Sequence, residues 1–242
     1  VSGSISVVGL DGDDTLWHSE QLFVETQDRF RELLAEHVDI SPEALDERLV
    51  AVERRNLGTF GYGVKGFTLS LIETAIEVTE GALPGAAVQQ VLDLGKLLLD
   101  HPVTLLDGVF EAVDALTDRY RVALITKGDL LHQESKVARS GLAELLWEVE
   151  IVSEKDERTY RRFLDRHGIE PGGFVMVGNS VRSDVLPVLD LGGRAVHVPY
   201  HVTWALEHAE PEPERHRFPV LDSIADLPAC IDALAAEPWP AL

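Results

Sequence analysis

The first legible segment, Ile5 to Leu10, is largely apolar and rich in β-branched residues, and it stops at Asp11. That pattern predicts a buried strand. From about Ser19 to Asp100 the period lengthens to that of helices. Leu22, Phe23, Phe30, Leu33 and Leu34 form one apolar stripe within Gln21 to His37. Ser41-Pro42-Glu43-Ala44 reads as a helix start, with Ser41 as cap and Pro42 in the first turn. Helical spacing continues over Phe67 to Val78 and Ala86 to Leu99, with Pro84-Gly85 as the break between them.

Past Pro102 the two periods alternate. Helices are predicted at Val109 to Leu116, Leu130 to Arg139, Asp156 to His167 and Asp184 to Leu189. Strands are predicted between and after them at Val122 to Ile125, Val149 to Val152, Phe174 to Val177 and Ala195 to Val198. Such alternation implies an α/β fold, a doubly wound parallel sheet with helices on both faces. A helical insert interrupts it after the first strand. The expected division is a core of 1–17 and 100–242 and a helical domain of 18–99. Beyond Val198, Glu210 to Glu214 reads as a Pro/Glu loop and Ile224 to Leu234 as a closing helix. Ligands of such sheets bind at the carboxyl ends of the strands, near the switch in strand order.

Composition narrows the partners. With 42 acidic against 21 basic residues the formal charge is −21, which repels phosphate backbones and anionic lipid. Nucleic-acid and membrane partners are therefore not expected. No apolar run approaches the ~18 residues of a membrane span, and no charged-then-apolar leader opens the sequence. Cys230 is the single cysteine, so no internal disulfide can form. These features predict a cytoplasmic protein.

Four short segments at strand ends or helix starts could carry chemistry. In Asp11-Gly12-Asp13-Asp14-Thr15 two carboxylates stand two residues apart after a buried strand. Burial disfavours their charge, a cation would offset it, and an oxygen-rich site suits Mg²⁺. One carboxylate could attack phosphorus while the other moves a proton. Thr126 and Lys127 follow the second strand, where a hydroxyl and backbone N–H groups can hold a phosphate oxygen. Lys155 could neutralise a transferring phosphoryl group. Gly178 permits a sharp turn before Asn179 and Asp184, the latter a candidate metal ligand. Each segment alone also reads as a turn or a helix cap, or for Lys155 a solvated side chain. The order and the placement make the set specific.

Taken together these residues resemble the haloacid dehalogenase-like hydrolase superfamily. The resemblance runs from Ile5 to about Pro199 and includes a helical insert similar to that family's C1 cap. Asp11, Asp13 and Thr15 match its first motif, Thr126 its second, Lys155 its third, and Gly178 with Asp184 its fourth. The resemblance implies that Asp11 is the nucleophile and Asp13 the general acid, then base. It implies that Mg²⁺ lies between Asp11, the Asp13 backbone carbonyl and Asp184, and that Thr126 and Lys155 hold phosphoryl oxygens. Two positions depart from the usual pattern. Asp14 stands where many members have Gly, and Asn179 where many have Asp, which removes a charge near the metal. The family's dehalogenases lack the second Asp, which Asp13 supplies here. The expectation is hydrolysis of a small phosphorylated metabolite. A phosphomutase, or a module that binds a phospho-ligand without turnover, remains open on the same residues.

Gly61-Tyr62-Gly63-Val64-Lys65-Gly66 fits the dinucleotide pattern but follows a helix, where that fingerprint has no meaning. It is expected to be a flexible loop through which Lys65, with Arg54 or Arg55, reads the substrate. His197, His201, His208 and His216 lack metal-binding spacing, and Trp17, Trp147, Trp204 and Trp239 read as packing residues.

Overall fold

The computed structural model describes residues 4–209 and 217–237. The Glu210–Glu214 loop, His216 and Trp239 lie outside the described residues. The chain divides into two compact units. One contains the chain up to His18, Val103–Lys127, and everything from Gln133 on; the other contains Ser19–Pro102 and Gly128–His132. The segment Gly128–His132 thus goes with the helical unit, although the expected division assigned it to the core.

The helical unit is built from α1 (Glu20–Ala35), α2 (Pro42–Phe60), α3 (Val64–Val78) and α4 (Gly85–Asp100). Ser41 caps α2, its Oγ accepting from the Ala44 N–H at 3.2 Å. Phe30, Leu34, Leu45, Leu49, Phe67, Leu71 and Val91 form its buried core. Polar contacts fix α2 against α3. Arg55 donates to Glu73 and Glu77 at 2.7 Å each, and Asn56 Nδ2 donates to Glu73 at 2.7 Å and Ser70 at 3.2 Å.

The other unit carries five strands: β1 (Val7–Leu10), β2 (Arg121–Lys127), β3 (Glu148–Val152), β4 (Phe174–Gly178) and β5 (Arg194–His197). All pairings are parallel and the order is β3-β2-β1-β4-β5. Its helices are α5 (Val109–Thr117), most of α6 (Leu130–Ser140), α7 (Glu157–His167), α8 (Leu186–Asp190) and α9 (Leu227–Ala236). The period of two sends alternate residues to opposite faces. Val8, Leu10, Leu124, Val175 and Val177 pack with Val113 and Leu116 of α5 and Leu227 and Ile231 of α9. Val7, Ile125, Phe174 and Met176 pack with Tyr160, Phe163 and Leu164 of α7. Helices on both faces explain why the central strands read as continuous apolar runs. Because β1 has β2 on one side and β4 on the other, the order of the strands switches at its carboxyl end.

The predicted helix at Asp184 to Leu189 differs in detail. Val181–Val185 forms a wide π turn before α8. Pro187 has no N–H for the Ser183 carbonyl four residues back. The buried Tyr160 hydroxyl donates to that carbonyl at 2.9 Å instead. No helix among the described residues is long and apolar enough to cross a membrane.

Candidate active site

Asp11 leaves the sheet at its switch point. Its N–H still donates to the Val177 carbonyl of β4 at 2.9 Å, so the residue begins between two strand ends. The chain then wraps around one carbonyl: the N–H groups of Thr15, Leu16 and Trp17 lie 3.3, 2.8 and 3.3 Å from Gly12 O. The Trp17 indole covers that turn, and a Cβ at Gly12 would lie 2.7 Å from the ring. Only glycine fits there. Asp14 has φ 62°. Glycine adopts this conformation freely and Asp tolerates it better than most residues, so Asp can stand where many relatives have Gly.

Lys155 is the centre of the charge arrangement. It is 3% exposed, and its Nζ donates to Asp11 Oδ1 and, at 2.7 Å, to Asp184 Oδ1. Burial pushes the Asp11 carboxyl up to about 7 against the pull of Lys155, with Asp184 adding repulsion. Burial also opposes the Lys155 ammonium, but Asp11 and Asp184 outweigh it and hold its pKa above the ordinary value. Asp184 is fully buried; its Oδ2 accepts from the Ser180 N–H at 3.0 Å. A Cβ at Gly178 would collide with this carboxylate. Thr126 is the penultimate residue of β2 and is 1% exposed, with its Oγ1 packed beside Gly12 of the first turn. Asp11, Thr126, Lys155 and Asp184 are thus brought to one sheet edge.

Thr15 ties the first turn to the fourth. Its Oγ1 accepts from the Asn179 N–H at 3.0 Å and lies 3.5 Å from Asn179 Oδ1. His197 Nε2 sits 3.0 Å from the Asn179 carbonyl, so this histidine props the loop from β5. The Asp13 carboxylate is gripped separately. Trp17 Nε1 and Lys136 Nζ each lie 2.6 Å from Oδ1, and Gln133 Nε2 lies 2.8 Å from Oδ2. Burial disfavours charge on Asp13. Lys136 with the Gln133 and Trp17 hydrogen bonds more than offsets this and holds the carboxyl below its ordinary value.

Two other expected contacts have different surroundings. Lys127 donates to Ser183 Oγ at 2.9 Å, pairs with Glu207, and lies 3.6 Å from Glu154. Glu207 also accepts from Ser180 Oγ at 2.7 Å. Burial opposes its charge, but Lys127 and the two serines keep its carboxyl below the ordinary value. Lys65 is not in a loop. Gly61 ends α2, Val64 starts α3, and Lys65 in that first turn pairs with Asp129 at 2.8 Å. Sequence reasoning missed Gln133, Lys136 and Glu207. Gln133 and Lys136 stand three apart on α6, one helix face just after the second motif, which could have marked them. Glu207 lies in irregular chain with no pattern to mark it. Glu207→Ala would leave the half-buried Lys127 without its main counter-charge. A loss of about 2–4 kcal/mol is expected in urea unfolding; an unchanged midpoint would show the pair to be idle.

Asp11 and Asp184 are buried hard-oxygen donors, and when both are ionised they set two negative charges against one ammonium. The bare Gly178 leaves room around Asp184. These two carboxylates fit Mg²⁺, which takes oxygen ligands. No group of three or more His, Cys, Asp or Glu side chains among the described residues is placed to hold a metal.

A site at the switch point of a doubly wound sheet, with two buried carboxylates bridged by lysine, defines a class that comparison makes specific. The family model for haloacid dehalogenase-like hydrolases matches residues 5–191. The chain is similar to a haloacid dehalogenase-like family hydrolase from Xanthomonas campestris, with 45% identity and TM-score 0.86, over 96% of this chain and 93% of that one. A 2-haloacid dehalogenase from Pseudomonas syringae shares the fold at 20% identity and TM-score 0.63, over 95% and 99%. A predicted phosphoglycolate phosphatase from Haemophilus somnus does so at 17% and 0.64, over 94% and 98%. No curated protein matches the chain. The chain belongs to the haloacid dehalogenase-like hydrolase family, and by that membership it is a hydrolase.

Proposed function

We propose that this hydrolase is a Mg²⁺-dependent phosphohydrolase that cleaves a small phosphate monoester through an aspartyl phosphate on Asp11. The observation that carries the reading is Asp13. A second carboxylate follows the buried Asp11 and is fixed by Trp17, Gln133 and Lys136. Carbon–halogen cleavage in the resembled dehalogenases proceeds without that residue.

Asp11 attacks phosphorus, and the ester oxygen leaves. Lys155, hydrogen-bonded to Asp11, lies where it can neutralise phosphoryl oxygens and aim the nucleophile. The buried Thr126 hydroxyl serves a phosphoryl oxygen. Lys127 and Lys65 pair with Glu207 and Asp129, whereas Lys155 touches Asp11 itself and Thr126 lies beside Gly12, so the phosphoryl contacts fall to Thr126 and Lys155. Asp13, held ionised, is ready to take a proton from water in the second step; protonating a leaving group first requires it to gain one. Mg²⁺ held by Asp11, Asp184 and the Asp13 carbonyl, with Asn179 beside them, would supply positive charge to the transferring group.

The test is product release with Mg²⁺ and with chelator, on a panel of small phosphate esters and on 2-chloropropionate. Metal-dependent phosphate release is expected. Halide release that survives chelation would replace this reading with dehalogenation. Phosphate moved within a sugar phosphate, with none released, would replace it with a mutase.

A further inference from the structure

The grip on Asp13 contains one group that its packing does not use. Gln133 is 2% exposed. Its Nε2 donates to Asp13 Oδ2 at 2.8 Å and to the Lys127 carbonyl at 3.0 Å, so both amide protons are committed. Those two acceptors also fix which way the amide points, since a flip would set Oε1 against both. Gln133 Oε1 is buried and has no hydrogen-bond partner among the described residues. A buried acceptor left without a donor is destabilising, because it has lost water and gained nothing in return. Such a group calls for an explanation, and a donor that arrives during function supplies one.

The missing donor can be specified. Gln133 Oε1 shares its carbon with the nitrogen that touches Asp13, so the acceptor and the carboxylate are neighbours. A water molecule can give one proton to each, which turns an oxygen lone pair away from both. We propose that Gln133, together with Asp13, holds the water that cleaves phospho-Asp11. This rests on the aspartyl-phosphate reading above. In the step, the water oxygen bonds to phosphorus as the bond from phosphorus to Asp11 Oδ breaks. The electron pair returns to the Asp11 carboxylate, one water proton goes to Asp13, and the other departs with the phosphate. Asp13 keeps Lys136 and Trp17 on Oδ1, so removing the Gln133 amide does not release the base.

The test follows the phospho-enzyme by rapid quench with 4-nitrophenyl phosphate and Mg²⁺, in wild type, Gln133→Met and Gln133→Ala. This leaving group needs no proton, so formation of phospho-Asp11 is expected to be unchanged. Its decay is expected to slow about 100-fold, as for a misplaced reactant. The variants should then show a one-equivalent burst, with kcat and KM falling together at constant kcat/KM. Decay at the wild-type rate would overturn the proposal, as would a fall in kcat/KM at unchanged KM. Absence of phospho-enzyme in wild type and variants alike would overturn the aspartyl-phosphate reading, and this proposal with it. An arm that does not depend on variant folding is a crystal structure of wild type with Mg²⁺ and beryllium trifluoride on Asp11. A water bonded to both Asp13 and Gln133 Oε1 is expected; a water on Asp13 alone would refute the assignment.

Discussion

Asp11→Asn is expected to abolish turnover and, at pH 8 without metal, to raise the melting temperature. Loss of the nucleophile should lower kcat on the order of 10⁴-fold or more. The stability gain comes from the same charges. Asp11 and Asp184 share one ammonium in a buried site, so one negative charge is uncompensated; the Asn variant leaves a one-to-one Lys155–Asp184 pair. The pH dependence has a definite sign. The Asp11 carboxyl rises from 3.8 to about 7 on folding. Between those values the folded state binds the proton more tightly, so this group's contribution to stability falls as pH rises. Wild type and variant should therefore melt alike near pH 4 and separate up to about pH 7, with the variant higher. Each 1 kcal/mol relieved corresponds to about 2–4 °C. Mg²⁺ should raise the wild-type melting temperature at pH 8 and act more weakly on the variant. Parallel melting curves across this pH range would contradict the charge account even if activity were lost.

Lys155→Met is the reverse case. The side chain is only 1% exposed and Met replaces its stem, but two buried carboxylates lose their counter-charge. A loss of about 3–5 kcal/mol is expected at neutral pH. Turnover should fall about 10²- to 10³-fold from lost transition-state stabilisation. The two sites touch, so their effects should not add: Asp11→Asn placed on Lys155→Met should recover part of the stability, with a coupling of about 0.5–3 kcal/mol. Urea unfolding of the four proteins measures it. Strict additivity would mean that Lys155 stabilises the fold by packing and not by charge.

The alternation of periods along the chain determined much of this. Runs such as Phe174 to Val177 read as strands covered on both faces, because every residue is apolar and the run is short and bounded by glycines. The residue that breaks such a run marks where the chain leaves the sheet, so Asp11, Thr126 and Gly178 were legible as edge positions. The Ser41 cap and the Pro84-Gly85 break were readable because they act within one turn of chain. What the sequence could not contain is which distant groups meet. Lys155 lies 144 residues from Asp11, and only the order β3-β2-β1-β4-β5 brings their strand ends together. The same holds for Lys127, which meets Glu207 80 residues away, and for Gly128–His132, which joins the helical unit. The wide turn at Val181–Val185 rests on a hydroxyl from another helix. Local period sets backbone form and the buried side, because both follow from neighbours in sequence. Charge state and pairing follow from burial and distance, and these exist only once the chain has closed on itself.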